Sequence, residues 1–204
     1  MLNKIQSLLK KNDLKSTFVL SDKENNKDRI LVFLGADADN REQFLEISAQ
    51  EQILSPESNP SMDSTGSSGS SGSSGSLGRS AYYRVQFQYM FPFKVDDLPL
   101  TQVGTFIHFL NRLIDLPGFE LDELENQTYY RYVWLTKEDA VDFIILNGII
   151  NMIGLSLIFF SQNLERLGTG KTSLNELLKE VIDITTHYKK QEESKRNGSR
   201  KRNL

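Results

Sequence analysis

"YYRVQFQYMF", residues 82–91, is the stretch on which the fold turns. Tyr83, Val85, Phe87, Tyr89 and Phe91 share one face of an extended chain, while Arg84, Gln86 and Gln88 share the other. A period of two is the signature of a strand buried on one side and wet on the other. Such a strand belongs to a sheet that needs a second layer on its apolar face only.

Upstream, "MLNKIQSLLKKNDLKS" places Leu2, Ile5, Leu8 and Leu9 among lysines, the pattern of a short amphipathic helix. It lacks the uninterrupted apolar core and small-residue cleavage site of a secretion signal. Three strands follow, "STFVLS", "RILVFLGA" and "EQFLEISA", separated by the polar turns "DKENNKD" and "DADNRE". Downstream, Pro92 and Pro99 bracket a turn, and "TQVGTFIHFLNRLIDL" carries Val103, Phe106, Ile107, Leu110, Leu113 and Ile114 at helical spacing. Leu116 precedes Pro117, where that helix should stop. "GFELDEL" and "TYYRYVWL" read as two more strands, a long apolar helix covers about 138–166, and an amphipathic helix covers about 173–187. Runs of strands and helices segregated in this way specify an α+β fold, a mostly antiparallel sheet with helices packed on one face.

Residues 64–80, "STGSSGSSGSSGSLGRS", have nothing to bury and should form a coil about 22 Å from end to end. They sit within a linker or insertion, natural or engineered, at 59–80. It divides one domain into an N-terminal half, 1–58, and a C-terminal half, 81–187. Residues 188–204 read as a disordered basic tail. From Lys189 onward that tail holds seven Lys or Arg against two Glu, a net +5; with a total of −3, the other 188 residues carry −8. An acidic body argues against a nucleic-acid surface on the folded part.

The absence of cysteine removes disulfides, thiolate zinc sites and cysteine nucleophiles, and is compatible with a cytoplasmic protein. The sequons at Asn126 and Asn197 carry little meaning without a secretory route. "RLGTGKT", residues 166–172, imitates the end of a phosphate-binding loop, but the required first glycine falls on Glu165 and the preceding segment is helical rather than extended. Gly168 is expected as a left-handed helix cap, Gly170 as a loose connection, and Ser173 with Glu176 as a capping box. No nucleotide or other cofactor is expected. His108 and His187 are too far apart for a metal pair, no G-x-S-x-G supports a triad, and the acids of "FELDELENQ" read as a solvated face. Neither a metal site nor a catalytic residue is assigned.

"FIILNGIINMIGLSLIFF", residues 143–160, has no formal charge and reaches the lower length for a bilayer span, so membrane insertion is the alternative reading. Asn147, Gly148, Asn151, Gly154, Ser161, Gln162 and Glu165 nevertheless fall in one stripe of about 140° on a helical wheel. The apolar remainder is wider than one sheet needs, which suggests cover by the sheet and by a second subunit. Ile145, Ile149, Met152, Leu155 and Phe159 are the candidate seam for a partner or a second copy.

The Tyr-Tyr-Arg-Tyr strand, Tyr129–Tyr132, followed at once by this apolar helix and its glycines, resembles the YbjN-like family, whose fold looks like that of type III secretion chaperones. The order of helix, meander, helix, strands and helix is similar too. The resemblance implies a non-enzymatic, chaperone-like or adaptor domain that pairs with itself and binds segments of client proteins not yet identified. It carries over no catalytic residue.

Overall fold

The computed structural model describes residues 1–21, 27–53, 81–180 and 182. The Ser/Gly segment at 59–80, the basic tail at 188–204, His187 and Asn197 lie outside the described residues. Helix α1 (Leu2–Lys11) is followed by β1 (Ser16–Val19), β2 (Arg29–Ala36), β3 (Glu42–Ile53) and β4 (Ala81–Lys94), then α2 (Leu100–Asn111), β5 (Phe119–Asp122), β6 (Gln127–Thr136) and α3 (Phe143–Gly168). A last helical segment occupies residues 174–180.

The six strands form one antiparallel sheet in the order β1-β2-β3-β4-β6-β5, with β4 between β3 and β6. The fold is therefore α+β, as expected. The register aligns every apolar row: Ile30 opposite Ile47, Ile47 opposite Phe87, and Phe87 opposite Tyr132. On the covered face, Val85, Phe87, Tyr89 and Phe91 share one core with the buried sides of the helices, Ile5 and Leu9 of α1, Phe106 and Leu110 of α2, Leu146 and Ile153 of α3, and Leu177 of the last segment. On the open face, Arg84 donates to Gln86, Gln86 to Gln88, and Arg131 pairs with Glu120.

Several boundaries depart from the pattern reading. Pro92 does not end β4, which runs on to Lys94. Beyond Gln88 the strand has lost its β3 partner, and its register with β6 shifts between Met90 and Lys94, so no ladder bond requires an N–H at position 92. Helix α2 stops at Asn111, five residues before Leu116. The Asn111 side chain accepts from the amides of Gly118 and Phe119 and donates to the Phe119 carbonyl, pinning the start of β5 to the helix end. Helix α3 starts at Phe143 rather than about 138, because Asp142 caps it by accepting from the amides of Ile144 and Ile145.

Candidate functional site

The stretch "RLGTGKT" is a helix end. Gly168 is the last residue of α3 and not a left-handed cap. It is small because a Cβ there would lie 3.2 Å from the Phe93 ring and 3.4 Å from a Val95 methyl. The left-handed residue is Gly170, at φ +65°, where any Cβ would strain the backbone. Lys171 N–H donates to the Arg166 carbonyl and Gly170 N–H to that of Leu167, the paired bonds of a Schellman motif. The connection is thus tied down rather than loose. Ser173 N–H donates to the Glu176 carboxylate and Glu176 N–H to Ser173 Oγ, the expected capping box. These bonds hold the Glu176 carboxyl below the usual carboxylate range.

Glu165, where a phosphate loop would need glycine, grips the guanidinium of Arg41 with both oxygens, at 3.1 and 2.6 Å. Arg41 sits at the end of the β2–β3 turn and also donates through Nε to Asp37 at 2.6 Å, with Asp39 3.3 Å away. Burial alone would raise the Asp37 pKa, but the bonds from Arg41 outweigh it and hold the carboxyl below its ordinary value. The cluster clamps the C-terminal half of α3 onto the β2–β3 turn.

Beside this clamp runs a trough between α3 and the β2 side of the sheet. Its apolar length, about 490 Å³, is lined by Leu14, Val32, Leu34, Ile150, Gly154, Leu155 and Ile158 among others. Its polar end, about 210 Å³, is lined by Asp37, Asp39, Arg41, Ser161, Gln162 and Glu165, and Gln43 and Ile158 line both parts. Buried Gln43 is fixed there by donating to Tyr89 Oη at 3.2 Å.

The outer side of α3 carries large apolar side chains beside exposed Gly148, Asn151 and Gln162. Ile144, Ile145, Leu155, Ile158 and Phe159 are all exposed, Ile158 at 72% and Phe159 at 67%. Of the seam candidates, Ile145, Leu155 and Phe159 lie on this face and Met152 is half-buried beside it. Ile149 does not belong with them. At 7% exposure it points into the core with Leu146 and Ile153, because the sheet takes the side of α3 opposite Ile144 and Leu155. Ile144 and Ile158 are the residues the sequence reading missed. They fall inside the angular range assigned to the polar stripe, and nothing in an isoleucine's chemistry tells a covered position from a bare one. By length and composition α3 could also cross a membrane, and about a third of its most apolar window is buried within the chain.

The other candidates are dispersed. His108 is exposed on α2. Glu120 is committed to Arg131 at 2.7 Å, and Asp122 caps a turn by accepting from the amides of Leu124 and Glu125. Among the described residues no group of three or more His, Asp or Glu side chains could hold a metal ion. Comparison with protein-family models, with curated proteins and with solved structures gives no match for this chain.

Proposed function

We propose that this protein is a non-enzymatic binding module of the cytoplasm, chaperone-like or adaptor in character, that acts as a homodimer and holds segments of client proteins. The YbjN-like pattern of the Tyr129–Tyr132 strand and the helix after it supports the chaperone-like part of this reading. One observation carries it: five large apolar side chains of α3, Ile144, Ile145, Leu155, Ile158 and Phe159, stand exposed along a helix whose opposite side fills the core. Exposed apolar side chains gathered on one helix in this way, with only Gly148 and Asn151 between them, support a docking role. The trough beside it offers an apolar length ending at the charged Arg41 cluster, suited to a segment with apolar side chains and one polar end.

Photo-crosslinking inside cells tests the proposal. A photoreactive residue at Leu155 or Phe159 should capture client chains, and Ile158→Glu should abolish the capture without altering the circular dichroism spectrum. Capture no stronger than from exposed Lys10 on α1 would refute it. A second reading, membrane association through residues 143–160, draws on the length and composition of α3. It requires the purified protein to float with lipid vesicles, whereas the binding-module reading requires it to stay in the aqueous fraction without detergent.

A further inference from the structure

Exposed sheet edges invite pairing with another chain, and folded proteins keep them short or charged. Two edges of this sheet obey that rule. Strand β1 has four residues, and β5 has four with Glu120 and Asp122 among them. The third stretch of edge does not. Strand β5 covers only Gln127–Tyr130 of β6, and the Gly118 carbonyl then accepts from Arg131 N–H at 2.7 Å, where the cover ends. The Arg131 N–H points away from β4, so the alternation of the strand turns the N–H and C=O of Val133 and Leu135 the same way. Among the described residues nothing pairs with them. Leu135 is 67% exposed, and Tyr132, Val133 and Trp134 are half-buried. "YVWLT", residues 132–136, contains no charge, proline or glycine to discourage a partner strand.

We infer that this half of β6 pairs with the same strand of a second copy, antiparallel and centred on Trp134, so that the two sheets become continuous. The register follows from which groups are free. Centring on Trp134 sets Val133 opposite Leu135 of the copy, and Leu135 opposite its Val133. Each such pair exchanges two N–H···O bonds, so all the free groups of both strands are satisfied. Centring on Val133 would set Leu135 against Arg131, whose N–H is already taken. A register shifted by one residue would oppose free groups with groups bonded to β4. With Trp134 at the centre, no charged side chain between positions 132 and 136 faces another, and the two-fold contact is closed and self-complementary. Strand β6 ends at Thr136, opposite Tyr132 of the copy, and a turn closed by the Ala140 N–H bond to the Lys137 carbonyl follows, so the paired stretch stops before the partner's Arg131 and its Gly118 cover. The outer face of α3 stays open for a client. The inference rests on the homodimer in the proposed function and not on client binding.

Trp134 is the only tryptophan in the chain, so its fluorescence reports directly on the centre of the contact. The test combines light scattering, a dilution series followed by Trp134 emission, and amide hydrogen exchange, all on the full chain. The expected result is a particle of twice 23.3 kDa whose Trp134 emission shifts to the red on dilution, with the Val133 and Leu135 amides protected only at the higher concentration. Leu135→Lys, at an exposed position, should raise the dissociation constant at least tenfold. Should that variant fail to fold, the exchange rates of the unaltered chain still decide. A monomer at high concentration overturns the inference, as does a dimer with freely exchanging Val133 and Leu135 amides. A dimer broken by Phe159→Ser but not by Leu135→Lys would move the contact to α3. Protection of the two amides only after a foreign peptide is added would assign the edge to a different partner and overturn the inference. Photo-crosslinks from α3 that persist in a monomer would leave the client-binding reading intact while sinking this one.

Discussion

Gly118→Ala is a one-carbon perturbation with a calculable cost, and it falls where β5 stops covering β6. A Cβ at Gly118 would lie 2.7 Å from the Arg131 carbonyl oxygen and 2.8 and 2.9 Å from two Tyr130 ring atoms. None of these neighbours can swing aside. The carbonyl belongs to the paired strand, and the Tyr130 ring is fully buried with its hydroxyl donating to the Leu116 carbonyl. Overpacking of this kind costs about 1–3 kcal/mol. Relief by opening the strand pair loses the Arg131-to-Gly118 bond, a further ~1 kcal/mol. At roughly 2–4 °C per kcal/mol for a chain of this length, the melting temperature should fall by about 5–15 °C. Gly154→Ala is the matched control. It lies inside α3 with nothing within 4 Å of the new methyl, so the gain in helix propensity, up to ~1 kcal/mol, should raise the melting temperature by about 2–4 °C. Calorimetry of both variants beside the parent decides. A Gly118→Ala protein melting within about 2 °C of the parent, or a Gly154→Ala protein melting lower, would refute the packing argument.

Three further outcomes are expected. In a double-mutant cycle, Arg41→Ala and Glu165→Ala should show a coupling of about 1 kcal/mol in urea unfolding, modest because the guanidinium is partly exposed; additivity would show that the clamp contributes nothing. Asn111→Ala removes three hydrogen bonds to Gly118 and Phe119 and should cost about 2 kcal/mol, with amide exchange accelerated first in β5; uniform acceleration across the sheet would argue against a local pin. The Glu176 pKa is lowered in the folded chain, chiefly by the Ser173 amide, so its stabilisation is present above the unfolded value of about 4.3 and lost as pH falls through the lower, folded one. NMR should show residues 174–180 fraying below that pH in the parent, and Glu176→Gln should remove the pH dependence.

The strands were legible because their patterns are two-sided. In "YYRVQFQYMF" both the apolar and the polar row are present, so the face and the partner layer follow from chemistry alone. The boundaries were less legible where a tertiary bond overrides local preference. Asn111 looks like any helical surface residue until β5 supplies its three partners, and Pro92 looks like a strand breaker until the β3–β4 ladder is seen to stop at Gln88. The capping box was readable because both partners lie within one turn. The role of Glu165 was readable only as an exclusion. Its partner Arg41 lies 124 residues away, and no spacing rule connects the two.

The α3 face shows why a helical wheel alone could not finish the work. A wheel ranks directions by residue type, so it points the stripe of Asn, Gly, Ser and Gln outward. The sheet takes the side centred near Ile153, and the opposite direction runs through Ile144 and Gln162, inside the polar stripe but toward the flank on which Leu155, Phe159 and Ile145 follow. The helix is rotated so that both Asn151 and Phe159 meet solvent. Turning it further, to hide Phe159, would carry Ile150 and Leu157, on the opposite flank of the buried side, toward solvent and pull Glu165 away from Arg41. Exposing a large apolar side chain costs about 1.5–3 kcal/mol, so two uncovered outweigh one hidden. The rotation observed is therefore set by the apolar flank of Ile150 and Leu157 and by the Glu165–Arg41 clamp. What it leaves is a set of apolar side chains, Ile144, Ile145, Leu155, Ile158 and Phe159, that the chain's own fold does not cover.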